Sequence, residues 1–150
     1  MVLDDEKGLE TKRAYALNTP EGQEVQQLCI SDLEPVCKIQ EPTFFKFVRD
    51  SMESFGLYQP LVIVPMTVQE WKEEMEMDHH VIPPRQEGPE TRMRIQAGCN
   101  RYFAMVDLGY THCDCIVVTD MEEAQTLAHT LRCDKRWQRG SNLELLRGRK

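Results

Sequence analysis

The sequence predicts an α/β (α+β) fold: one compact domain built on a small mixed sheet of about four strands flanked by helices. Three patterns carry that expectation. Phe44, Phe47, Val48, Met52 and Phe55 recur at the spacing of an amphipathic helix. Leu61-Val-Ile-Val64 is a short apolar run of the kind a buried strand presents. Between Arg92 and Val106 the period changes within one segment. Met93, Ile95 and Ala97 alternate with Arg92, Arg94 and Gln96, as on a half-buried strand, and Tyr102, Phe103 and Val106 then repeat at helical spacing. The switch falls at Gly98, and a chain of 150 residues has room for one proper core.

Along the chain, residues 1–24 show no period and read as an extended N-terminal arm. The domain proper spans 25–132 and begins with a strand from Val25 to Ile30. The helix over 44–55 takes Thr43 as its cap and stops at Gly56. Leu57-Tyr58-Gln59-Pro60 then leads into the strand Leu61 to Val64. Residues 66–91 form an insertion longer than a hairpin requires. Its first half, Thr67 to Met77, pairs Thr67 with Glu70 in a capping-box pattern and repeats Val68, Trp71 and Met75 at helical spacing. Its second half, His79 to Thr91, holds three prolines and one glycine and reads as a loop. Strand Arg92 to Ala97, helix 99–108, strand Cys113 to Val118 and helix 121–132 complete the domain. In the tail, 133–150, Ser141-Asn-Leu-Glu144 is a second capping box that predicts a short helix through Leu145 and Leu146.

The junction at Gly98 is the best clue to function. A helix that opens on glycine offers its first free amides and its positive dipole end to an anion, with little side chain in the way. Arg101, within the first turn, adds a forked donor suited to phosphate or carboxylate. Cys99, at a helix N-terminus beside an arginine, has the surroundings that favour a thiolate. The plainer reading is a tight strand-to-helix turn in which Cys99 is a small buried hydrophobe and Arg101 a surface charge.

The ordered set of helix, Gly56-Leu-Tyr-Gln59-Pro60, strand, second strand, Gly98-Cys99-Asn100-Arg101 and helix resembles the N-terminal domain of the ParB partition family. It also resembles the structural cousin of that domain, sulfiredoxin. ParB-like domains end a helix in Gly-x-x-Gln-Pro and lead a later strand into Gly-Glu-Arg-Arg-x-x-Ala; the counterparts are Gly56, Gln59 and Pro60, then Gly98, Arg101 and Ala104. The resemblance runs from about Val25 to Leu131. It implies a pocket in which Gly56, Gln59, Pro60, Gly98, Cys99, Asn100 and Arg101 surround the phosphates of a nucleotide. The nucleotide is CTP in ParB and ATP in sulfiredoxin, with magnesium as its companion, and relatives carry hydrolase, phosphotransferase or nuclease activity. Cys99-Asn100 stands where ParB has Glu-Arg, and His129-Thr130 falls on the Glu-Asn that helps ParB hold its metal. Phosphate binding is therefore expected ahead of catalysis.

Two alternatives stay open. Ala97-Gly98-Cys99-Asn100-Arg101-Tyr102 is similar to the Gly-Gly-Cys-His-Arg-Tyr of sulfiredoxin, which implies an ATP-dependent thiol enzyme using Cys99. A scaffold or assembly protein that keeps the fold without catalysis is the other. Free-standing ParB-like domains often belong to phages and plasmids, so that origin is expected. The helix-turn-helix of full partition proteins has no counterpart here, and DNA contact is expected through the phosphate backbone.

Composition narrows the partners. A hydrophobic content of 41% and a mean hydropathy of -0.52, with no run of transmembrane length and an acidic start, exclude a membrane span and predict a cytoplasmic protein. Cysteines at 29, 37, 99, 113, 115 and 133 are spread too widely for a secreted disulfide scaffold, so reduced thiols are expected. Cys113 and Cys115 fall on one side of a strand, a spacing that argues against zinc despite His112 beside them, and His79-His80 belong to the loop; no metal site is predicted. The net charge of -7 is uneven: from Arg132 to Lys150 seven basic residues face two acidic ones, a local +5 that leaves -12 elsewhere. Lys135, Arg136 and Arg139 around Trp137 could lie on nucleic-acid phosphates with the indole stacked on a base. The helix over 67–77, with an exposed Trp or Met, and the C-terminal helix are candidate protein-binding surfaces.

Overall fold

The computed structural model describes residues 11–130. Residues 1–10 and 131–150 lie outside the described residues, and with them the expectations for Lys135, Arg136, Trp137, Arg139 and the short C-terminal helix. The described elements run β1 (Arg13–Ala14), β2 (Gln26–Cys29), β3 (Leu33–Pro35), α1 (Pro42–Phe55), β4 (Leu61–Thr67), α2 (Val68–Met77), β5 (Thr91–Ala97), α3 (Cys99–Asp107) and β6 (His112–Val117). A fourth helix, α4, occupies 121–130.

The strands form one mixed sheet of six, not the four expected. β4 runs antiparallel to β5 and parallel to β6, β3 joins β5 in parallel, and β6 also takes β2 antiparallel and β1 parallel. The strands expected from the sequence correspond to β2, β4, β5 and β6. A register shift between Val62 and Ile63 bends β4 against β5. Both faces of this sheet are buried. Leu61, Ile63, Ile95, Cys113 and Cys115 pack beneath Val48 and Met52 of α1 and Tyr102, Ala104 and Met105 of α3. Val62, Val64, Met66 and Ile116 pack on the other side with Trp71 of α2 and Ala124 and Leu127 of α4.

Three local expectations are corrected. The polar face of β5 is not wet, because α2 and the loop after it cover that face: Arg92 and Arg94 are 3% and 1% exposed. Arg92 pairs with Glu34 of β3 at 2.9 Å, and Arg94 pairs with Glu74 of α2 at 2.6 Å and lies over the Trp71 ring. Helix α1 is capped by Glu41 rather than Thr43. The Glu41 carboxylate accepts from the Thr43 and Phe44 amides at 3.1 and 2.7 Å, and Pro42 occupies the first turn, where a missing N–H costs nothing. Trp71 is not exposed; it is fully buried and donates its indole N–H to the Ile82 carbonyl at 2.9 Å. Met77 at the end of α2 is exposed. The described part of the extended arm is fastened to the domain: beyond the β1 pairing, the Leu17 and Asn18 amides donate to the Leu57 and Tyr58 carbonyls at 2.9 and 2.7 Å. The Thr67 and Glu70 capping box forms as the sequence indicates.

Candidate functional site

The two sequence motifs meet at the point where α1 passes into β4 and β5 passes into α3. Gly56 ends α1, its amide donating to the Met52 carbonyl at 2.8 Å, and the chain crosses through buried Leu57, Gln59 and Pro60 to the first residue of β4. On the neighbouring strand Gly98 takes φ 108° and caps α3 with no side-chain hydrogen bond to the first-turn amides. A Cβ at this position would collide with Leu61 Cδ2 and come within 2.9 Å of Arg101 Nη2. Both the backbone angle and the space therefore demand glycine.

Arg101 joins the motifs. It folds back beneath Gly98, is 2% exposed, and through Nη1 donates to the Gln59 carbonyl at 2.5 Å and the Pro60 carbonyl at 3.3 Å. Its Nε is buried with no hydrogen-bond partner among the described residues. Burial pushes the guanidinium down to about 10, while three nearby thiols, Cys113, Cys115 and Cys99, act in the opposite sense. The side chain is thus neither the surface charge of the plain reading nor an outward fork. It is a buried strut that places a positive charge under the start of α3.

Cys99 is also buried, with Sγ 4.0 Å from the Ile95 carbonyl. Asn100, next along the first turn, is half-buried. Cys113 and Cys115 are fully buried, and their sulfurs lie 3.6 Å apart. Cys115 holds its proton well above the usual thiol range, chiefly through the hydrogen bond with Cys113 and then through burial. His129 is exposed on α4, and among the described residues no group of three or more His, Cys, Asp or Glu side chains is arranged to hold a metal.

Two features were not legible in the sequence. The arm forms a side of the site through its bonds to Leu57 and Tyr58, and the Asp114 carboxylate fixes it by accepting from the Ala16 amide at 2.8 Å and the Gln27 side chain at 2.6 Å. The loop after α2 is tied to α3 as well. Arg85 donates to the Tyr102 hydroxyl at 3.0 Å and to the Ser31 carbonyl at 3.1 Å, while its amide donates to Glu34 at 2.8 Å. Clefts of about 230 and 330 Å³ flank this loop, the first lined by Lys72, Met75 and Pro84 among others, the second by Asp32, Glu87 and Thr91. Neither is lined by Gly98, Arg101 or Gln59.

No family model matches the chain, and no curated protein matches it. Among solved structures, sulfiredoxin from Arabidopsis thaliana is similar over 72% of this chain and 97% of that chain, with a TM-score of 0.43 and 19% identity.

Proposed function

We propose that this chain is a phosphate-binding domain of ParB type, whose ligand is a nucleotide such as CTP or ATP or the backbone of a nucleic acid. The observation that supports this reading most is the bond from Arg101 to the carbonyls of Gln59 and Pro60, because it fastens the glycine-opened helix to the Gly56 to Pro60 segment. Three physical features then favour an anion at the start of α3. The first-turn amides lack a side-chain cap, Gly98 sets no side chain of its own at the helix start, and a buried cation lies beneath. In a poorly solvated setting such a fixed charge attracts phosphate more strongly than a surface lysine does. Arg101 contributes field and rigidity, and the amides of Cys99, Asn100 and Arg101 make the contacts. Magnesium would arrive with the nucleotide, because Cys99 and Asn100 supply no carboxylate where ParB has one. Binding without rapid hydrolysis follows.

The test is thermal unfolding with CTP, ATP and GTP, each with and without magnesium. A ligand at 100 times its Kd adds about 2.7 kcal/mol, which raises the Tm by several degrees. Asn100→Asp sets a carboxylate among the amides and should abolish the shift. Cys99→Ser should preserve it, since the amide remains and no thiol chemistry is required. If neither these nucleotides nor short DNA moves the Tm, phosphate binding is wrong.

A further inference from the structure

The loop after α2 is fixed to the domain at both ends and in its middle. The Ile82 carbonyl accepts the Trp71 indole N–H at 2.9 Å, and the Glu90 carbonyl accepts the Val68 amide at 2.9 Å. Between them the Arg85 carbonyl accepts from Arg92 Nη1 at 2.9 Å, and the Arg85 amide donates to Glu34 at 2.8 Å. Held in this way, the loop leaves the cleft of about 230 Å³ beside α2 as a preformed space. Val68 and Met75 line it from the helix, Pro83 and Pro84 from the loop. Two cations complete the lining, Lys72 and Arg92. Arg92 also lines the cleft of about 330 Å³, but the two spaces differ in charge: Asp32, Glu34 and Glu87 line the larger, and no carboxylate lines the smaller. Arg92 is 3% exposed, and its hydrogen bonds to Pro89, Glu34 and Arg85 use Nε and Nη1 and leave Nη2 out. Lys72 is exposed and makes no ion pair among the described residues. Glu34 balances one of these two charges, so the smaller cleft keeps one positive charge in excess.

We propose that this cleft binds a small monocarboxylate with a short apolar chain. The carboxylate takes Arg92 Nη2 and the Lys72 ammonium, and the chain lies among Val68, Met75 and the two prolines. One negative charge balances the excess, and the apolar lining rewards burial of the methylene groups. A phosphate dianion would carry more charge than the cleft can balance and would lose hydration against the apolar lining. An amine would meet like charge. At ~30 Å³ per water the cleft has the volume of about eight waters, which suits an acid of about eight non-hydrogen atoms, such as hexanoate. Gly98, Arg101 and Gln59 do not line this cleft, so the inference does not rest on the phosphate-binding reading.

The experiment titrates the folded full chain, labelled at its methionine methyl groups, with sodium hexanoate at constant ionic strength and follows the methyl resonances by NMR. The Met75 signal should shift and saturate with a Kd of about 1 mM, the strength open to so small a ligand. The exposed Met77, outside the cleft, should stay in place. Acetate lacks the chain, hexanol lacks the charge and hexylamine reverses it, so each should bind about tenfold more weakly or not at all. Lys72→Glu changes a surface residue, so the chain should fold as before and bind hexanoate about tenfold more weakly. A Met75 signal that does not move, equal shifts at Met75 and Met77, hexanol binding as well as hexanoate, or parent-like affinity in Lys72→Glu would each overturn the proposal.

Discussion

Gly56 and Gly98 both sit at positive φ, 86° and 108°, yet they differ in what a side chain would meet: nothing within 4 Å of the first, Leu61 and Arg101 at the second. Gly56 combines φ 86° with ψ -167°, a region essentially confined to glycine, so Gly56→Ala should cost about 2 kcal/mol from backbone strain alone. Gly98→Ala adds a core clash to its own backbone strain and should cost about 3 kcal/mol or more in urea unfolding. A smaller loss at Gly98 than at Gly56 would mean that the junction is looser than its geometry. The thiol of Cys115 gives a pH signature at the same scale. Native Cys115 keeps a proton that the unfolded chain releases near the ordinary thiol value of 9.0, so above that pH the unfolded state binds fewer protons and stability falls. The slope is up to about 1.4 kcal/mol per pH unit, and Cys115→Ala should flatten it. Arg101 acts with the opposite sign. Its depressed native value means that the folded state gives up a proton first, so its contribution to stability rises with pH only above about 10. From pH 9 to 10 the thiol effect stands alone. Position 98 was readable from the sequence because a period change and a glycine coincide there. The direction of Arg101 was not, since an arginine in a first turn looks the same in sequence whether it reaches outward or folds under the helix.

Strand β5 shows where pattern reading fails at the level of elements. Its alternation of arginines and apolar residues is that of a strand with one wet face, but the acids that neutralise Arg92 and Arg94 come from Glu34 and Glu74, distant in sequence and invisible to a local window. Helix α2 was legible through its capping box and its Val68, Trp71, Met75 spacing, whereas the surface it covers was not. The strands β1 and β3, of two and three residues, are too short to carry a period, and what holds them is backbone pairing together with long-range contacts of Ala14, Leu33 and Glu34. The buried Glu34 and Arg92 pair yields a prediction. Glu34→Gln leaves Arg92 without its carboxylate in a dry setting and should cost about 3 kcal/mol. The Arg85 amide loses its charged acceptor in the same variant. The 79–90 loop should then be cut faster by trypsin at Arg85 than in the parent, under conditions where both are folded. An unchanged cleavage rate would show that the Tyr102 and Ser31 contacts of Arg85 suffice to hold the loop.

Across the molecule, the sheet gathers both motifs at one end of β4 and β5, and the arm is bonded to the first of them at Leu57 and Tyr58. Residues 11–18 matter to the site for that reason. Removing them frees the Leu57 and Tyr58 carbonyls and the β1 pairing with β6, and should lower both the Tm and any nucleotide response. Charge is the other molecular property, and it divides the chain sharply: +5 from Arg132 onward against -12 for the rest. Such a division sets two expectations for DNA. The body repels it, and the tail, with Lys135, Arg136 and Arg139 around Trp137, attracts it. Each phosphate neutralised contributes a slope of about -0.9 to log affinity against log salt on duplex DNA and about -0.7 on single strands. Full-length protein should therefore be retained on DNA at about 50 mM salt and released by about 200 mM, with a slope that reflects several contacts. A chain shortened to residue 132 should lose most of that retention and its steep salt slope, keeping only what the α3 site contributes. Trp137→Ala should weaken single-strand binding more than duplex binding, since only an unpaired base offers its face to the indole. Retention unaffected by the truncation would show that the basic segment is not a nucleic-acid arm.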